Sequence, residues 1–177
     1  MLEDLIHETN PDNAPGIAPV IYAIEKDDIA TWPAMTATPT TNAQKSTRSG
    51  STFTCKTGKK FEKIELTANT GELEIKTSGG PRQNSPMSTF KCKRAGLSAA
   101  AIGWLKQNKN KELVLVVPDR NGLQVILGDE VQGAFLTEGS SKTGVKSGDE
   151  RGLDFNFTYE GFEPTVWAGT PPLTPAS

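Results

Sequence analysis

Leu113-Val114-Leu115-Val116-Val117, the turn residues Pro118-Asp119-Arg120-Asn121-Gly122, and Leu123-Gln124-Val125-Ile126-Leu127 before Gly128 decide the fold. An unbroken aliphatic run, a turn signal and a second apolar run predict a β-hairpin. Asn121-Gly122 is expected to supply the positive φ angles of a tight turn. Downstream, residues 133–138 predict a third strand, 139–152 a polar loop, and 153–159 a strand of strict alternation. Leu153, Phe155, Phe157 and Tyr159 fall on one face, and Asp154, Asn156 and Thr158 on the other, as a two-residue period requires. Together these read as consecutive antiparallel strands of one sheet.

Upstream, the pattern predicts shorter strands and one helix. Residues 17–24 form a first strand, with Pro19 marking an edge because it cannot donate to a ladder. Residues 25–29 make one helical turn before Pro33. Residues 52–56, 60–66, 72–76 and 86–94 are further strands. The segments 60–66 and 72–76, joined through Asn69-Thr70-Gly71, predict a hairpin with Ile64, Leu66, Leu73 and Ile75 on a core face. Its solvent face would carry Glu62, Glu65, Glu72 and Glu74 against Lys60, Lys63 and Lys76. Residues 97–108 are rich in helix formers, and Leu97, Ala101, Trp104 and Leu105 share one helical face. That helix is expected to lie on the sheet as a lid, with Trp104 as a core anchor.

The 177 residues suit one domain, 1–177, able to bury a core without staples. Hydrophobic content of 35% is low for a globular chain, so a thin β core with long polar arms is expected. The arms are 1–16, 34–51 and 162–177, rich in Pro, Thr, Ser and Asn. A net charge of -2 implies no strong pull toward nucleic acid or anionic membrane. No stretch approaches the roughly 20 apolar residues of a spanning helix, and the acidic opening Met1-Leu2-Glu3-Asp4-Leu5 is unlike a signal peptide.

Chemistry-bearing patterns are sparse. Cys55 and Cys92 do not make a disulfide framework and read as free, half-buried thiols. His7 is the one histidine, which disfavours zinc and a Ser/His/Asp arrangement. The run Gly139-Ser140-Ser141-Lys142-Thr143-Gly144 lacks phosphate-loop spacing and does not precede a helix. No cofactor is implied.

The order of elements in the second half is what carries a resemblance. A strand ending Phe90-Lys91-Cys92-Lys93 leads to the helix and then to the hairpin 113–128. Gly144, Asp149, Arg151-Gly152 and the strand Leu153-Asp154-Phe155-Asn156-Phe157-Thr158 follow, before the closing Glu163-Pro164-Thr165-Val166-Trp167-Ala168-Gly169. This order resembles the major tail tube proteins of tailed bacteriophages over about two-thirds of the chain. The resemblance implies an antiparallel β-sandwich or barrel with one flanking α-helix and long extended arms, and no catalysis. It implies a virion structural protein, assembled in the host cytoplasm into stacked, usually hexameric rings. Its partners would be its own copies, other phage tail proteins and double-stranded DNA in passage, with no membrane insertion.

Under that resemblance, Glu62, Glu65, Glu72 and Glu74 are candidates to face the DNA channel. Pro39, Thr40, Thr41, Arg48, Phe162, Trp167, Pro171 and Pro172 are candidate inter-subunit contacts, on arms whose removal is expected to leave the fold intact. Two other readings share the β architecture. One is a head–tail connector or capsid decoration protein. The other is a ligand- or carbohydrate-binding β-sandwich module, with Trp32, Trp104 and Trp167 as sugar platforms.

Overall fold

A computed structural model describes residues 14–50, 52–146 and 148–176; His7 and most of the 1–16 segment lie outside these. In chain order the strands are β1 (Val20–Glu25), β2 (Ile29–Thr31), β3 (Thr47–Arg48), β4 (Thr54–Cys55), β5 (Glu62–Glu65) and β6 (Glu72–Ser78). They continue as β7 (Ser85–Ala95), β8 (Leu113–Pro118), β9 (Gln124–Leu127), β10 (Phe135–Lys142), β11 (Gly152–Tyr159) and β12 (Thr165–Trp167). A short helix α1 (Asn42–Ser46) precedes β3, and α2 (Ala99–Asn108) joins β7 to β8. The molecule is mostly β, as the residue pattern predicts.

The strands form a six-stranded sheet in the order β3-β12-β9-β8-β1-β5, a four-stranded sheet β10-β11-β7-β6, and a small pair β2-β4. The expectation of one sheet through the second half is therefore corrected. The β8–β9 hairpin belongs to the larger sheet and the β10–β11 hairpin to the smaller one. The two sheets face each other across a shared core that includes Ile21, Leu115, Leu127, Phe90, Phe155 and Phe157. Strand β11 alternates buried and half-buried along its whole length, as its sequence predicts.

Strand β8 is buried on both sides, which explains its lack of alternation. Leu113, Leu115 and Val117 face the core between the sheets. Val114 and Val116 face a second core with Ile126, Phe53, Phe61 and Trp167. A sheet covered on both faces needs apolar residues at every position of its central strands. The β8–β9 turn is wider than expected: Gly122 has φ +90° but Asn121 is not in the left-handed region. Asp119 organises the turn instead, its Oδ1 accepting from the N–H groups of Asn121 and Leu123 at 2.9 and 2.7 Å.

Helix α2 starts at the Ser98 cap, whose Oγ accepts from the Ala101 N–H. It packs on the inter-sheet core through Leu97, Ala101, Trp104 and Leu105, the face read from the sequence. Trp104 stands edge-on to Phe155 at 5.4 Å. Gly139 on β10 admits the helix closely, since a Cβ there would meet Leu105 Cδ2 at 2.7 Å.

The strand 17–24 is not an edge. Strand β1 pairs with β8 on one side and β5 on the other, and Pro19 sits just before it, where its carbonyl accepts from the Leu66 N–H. The hairpin 60–76 does not form. Strand β5 pairs with β1 and β6 with β7, in different sheets. The chain changes sheets between two residues: the Leu66 N–H donates to Pro19 O, and the Thr67 N–H to Lys93 O. Ile64 and Leu66 are buried, whereas Ile75 is 51% exposed on the free edge of β6.

Candidate functional site

The four glutamates expected on one wall are divided. Glu62 and Glu65 lie on β5 at the edge of the larger sheet. Glu62 accepts from Trp104 Nε1 at 3.0 Å, and Glu65 pairs with Lys63 at 2.8 Å. Glu72 and Glu74 lie on β6, beside Lys91 and Thr89 of β7. They belong to the outer face of the four-stranded sheet, opposite the inter-sheet core.

Strand register defines that outer face. Asn156 lies between Glu138 and Lys91, Asp154 between Ser140 and Lys93, and Thr158 between Phe135 and Thr89. The ion pairs are Lys142–Asp154 at 3.0 Å, Lys76–Glu74 at 2.8 Å and Lys93–Glu150 at 2.7 Å. Glu72, Glu74, Glu138 and Asp154 of the strands face Lys76, Lys91, Lys93 and Lys142, and Glu150, next to the sheet, pairs with Lys93, so the face carries charges of both signs with carboxylates at least as numerous as lysines. Strands β6 and β10 are the lateral edges of this sheet.

The arm candidates are also divided. Pro39, Thr40 and Thr41 are exposed. They lead into α1, where Thr41 Oγ1 accepts from the Gln44 N–H and Gln44 Oε1 accepts from the Thr40 N–H. Arg48 and Trp167, by contrast, are only 5% and 2% exposed within their own chain. As free inter-subunit contacts they are corrected: both tie an arm to the domain that carries it. Arg48 donates from Nη1 and Nη2 to the two carboxylate oxygens of Glu130 at 2.8 and 3.0 Å. It also donates to Pro33 O and Thr165 Oγ1 and lies over the Trp32 ring. Trp167 sits on β12, inserted between β3 and β9, with its ring edge-on to Phe53 at 4.9 Å. Pro171 is buried and Pro172 half-buried, and the Pro172 carbonyl accepts from the Phe61 N–H. Phe162 remains 68% exposed.

The three tryptophans named as sugar platforms differ in exposure, Trp167 being buried and Trp32 and Trp104 half-buried. Trp167 is buried in the second core, Trp32 packs edge-on to Phe53, and Trp104 packs on Phe155.

A polar cluster that the sequence pattern did not announce sits where β9 and β11 end. Tyr159 Oη donates to Asp129 Oδ2 at 2.5 Å and accepts from the Phe162 N–H at 3.1 Å. Asp129 Oδ1 accepts from the Val131 and Gln132 N–H groups. Burial opposes ionisation of Asp129, but the hydrogen bonds from Tyr159, Gln132 and Val131 outweigh it and hold the carboxyl below its ordinary value. Glu130 is lowered by its hydrogen bond from Arg48, against the opposing effect of burial. Each group in the cluster is thus fixed by a neighbour.

Both cysteines are free and buried. Burial pushes the Cys92 thiol up to about 12, and burial with the charge of Asp28 raises Cys55. Among the described residues no His/Cys/Asp/Glu group has the arrangement of a metal site, and no helix is long and apolar enough to cross a membrane. No family model matches the chain, and comparison with curated proteins and with solved structures gives no match.

Proposed function

We propose that the chain is a virion structural subunit, a tail tube protein of a tailed bacteriophage, forming stacked rings around a channel for double-stranded DNA. The observation that carries this reading is the four-stranded sheet, with β6 at one lateral edge, β10 at the other, and a polar outer face with no excess of lysine over carboxylate. Edge strands present unpaired backbone groups that recruit another strand. Pairing β6 of one copy with β10 of the next is a head-to-tail contact, which closes into a ring when the rotation fits. The outer faces would then line the channel. A duplex moving past would meet at least as many carboxylates as lysines, so few counterions would be released and little affinity gained. Glu72 and Glu74 keep their candidate channel role, while Glu62 and Glu65 leave it because β5 lies in the other sheet.

Purified full-length protein tests the proposal by negative-stain microscopy and mass photometry. Rings or tubes are expected. A strictly monomeric mass at high concentration, across salt conditions, overturns it.

A further inference from the structure

We propose that Asn121 is a site of self-modification. The amide nitrogen of Gly122 attacks the Asn121 side chain, and the β8–β9 turn becomes an aspartyl or isoaspartyl turn without an enzyme. Asn121 is the one asparagine in the chain followed by glycine. The inference concerns the subunit alone, so it stands or falls apart from the assembly proposed above.

The turn leaves the attacking nitrogen accessible. Asn121 and Gly122 are both exposed, so water reaches them. Nothing stands within 4 Å of the place a Gly122 Cβ would occupy, and glycine has no side chain to obstruct its own nitrogen. The Gly122 N–H donates to Asp119 O over a long 3.4 Å, and a bond of that length is weak. The nitrogen can leave it at little cost.

The carbonyl under attack already has a donor. Asn121 Oδ1 accepts from the Ala14 N–H at 3.1 Å. That oxygen takes the negative charge when the nitrogen adds to Cγ, and a donor fixed in advance stabilises the charge as it develops. The donor is held in place by its neighbours. The Arg120 N–H donates to Gly16 O, and Ile17 bridges to Asp119. Asn-Gly is visible in the sequence, whereas the Ala14 N–H reaches it only through the fold.

The step needs no reactant besides water. A bond forms between Gly122 N and Asn121 Cγ, and the Gly122 amide proton passes through water to the departing nitrogen. The Cγ–Nδ2 bond breaks and ammonia leaves, which closes a cyclic succinimide. Water then adds to one of the two ring carbonyls. Cleavage at Cγ gives aspartate, and cleavage at the main-chain carbonyl gives isoaspartate. Nothing is oxidised or reduced. Either product adds a carboxylate beside Asp119. Isoaspartate also lengthens the backbone between the Asn121 and Leu123 N–H groups that Asp119 Oδ1 holds. The turn then loses its grip on residues 14–17, the lead-in to β1.

The test ages the full-length protein in mildly alkaline buffer. Peptide mass spectrometry follows conversion of amide to acid, and isoaspartyl methyltransferase labelling counts isoaspartate. In the folded protein Asn121 is expected to convert at least tenfold faster than any other described asparagine. Gly122→Ala, whose methyl obstructs the nitrogen, should slow conversion at Asn121 at least tenfold. Hydrogen exchange should rise across residues 14–17 as the protein ages, and should not rise in Asn121→Gln, whose longer side chain would have to close a larger ring. Ala14→Pro removes the donor; with its fold checked by circular dichroism, it should convert at least threefold more slowly than the unaltered protein, and at the same rate in urea. Conversion at Asn121 no faster than at other asparagines, or an unchanged rate in G122A, overturns the proposal. An unchanged rate in folded A14P removes Ala14 from it.

Discussion

Gly169 lies flat against the indole of Trp167: a Cβ on Gly169 would stand 2.1 Å from Cζ2 and 2.3 Å from Cε2. The ring cannot yield, because Trp167 is 2% exposed and wedged edge-on to Phe53. Gly169→Ala is therefore expected to cost about 1–3 kcal/mol, the usual range for overpacking. Thermal or urea denaturation reads this directly, and a variant as stable as the unaltered protein would mean that the 169 backbone moves freely.

Truncation after Phe162 carries the same argument further. The segment it removes supplies β12, the Trp167 ring, and the Pro172 carbonyl that accepts from the Phe61 N–H. Losing a large buried aromatic alone costs about 3–5 kcal/mol, against a typical total of about 5–15 kcal/mol. The truncated chain should lose its cooperative melt. This reverses the expectation that the 162–177 arm is dispensable for folding, and an unchanged melting curve would restore it.

The legibility of the sequence follows from how locally each feature is specified. Strand β11 and helix α2 were legible because each has one buried face, which leaves a period in the sequence. Strand β8 was legible as a strand, but its two covered faces could not be inferred from a run with no polar side. The 60–76 segment was misread because two alternating runs around Asn69-Thr70-Gly71 look like a hairpin. What separates them is the pairing of β5 with β1 and of β6 with β7, which no local pattern encodes. Arg48 was placed on a free arm for the same reason: its partner Glu130 lies 82 positions away. The exposed Val145, Val131 and Phe162 carry no periodic signal, since only the folded surface shows which apolar residues are left uncovered.

Acid and base should destabilise the protein through the same pair. Asp129 and Glu130 have folded pKa values below their ordinary ones. Their stabilisation is complete above the unfolded carboxylate value of about 4 and is lost as pH falls through the folded values. Burial and then Asp129 raise the Tyr159 hydroxyl. Its contribution is complete below the unfolded tyrosine value of about 10 and is lost as pH rises beyond it. Asp129→Asn should cost about 1–3 kcal/mol at neutral pH and flatten the acid limb of stability against pH. Urea denaturation across a pH series measures both, and an acid limb of unchanged slope would remove Asp129 from the account.

Cys92 should resist alkylation in the folded protein. Its thiol is 2% exposed and pushed up to about 12, and the thiolate is the reacting form. Iodoacetamide at pH 8 is expected to label it at least a hundredfold more slowly than in urea, as measured by peptide mass spectrometry. Cys55, with its pKa also raised and its side chain buried, should follow more weakly. Rapid native labelling at Cys92 would show that the β7–β11 region opens readily.

Ile75→Lys tests the lateral contact of the ring proposal. Ile75 is half-exposed on the free edge of β6, so the change should cost the isolated subunit less than about 1 kcal/mol. A lysine on an edge strand blocks strand addition by leaving a charge to be buried in the new pairing. Under the ring proposal, I75K should therefore abolish rings and everything built from them. Mass photometry reads the outcome as loss of ring-sized species. Rings of normal mass from a folded I75K protein would show that β6 is not the lateral contact, and the pairing of β6 with β10 would have to be abandoned.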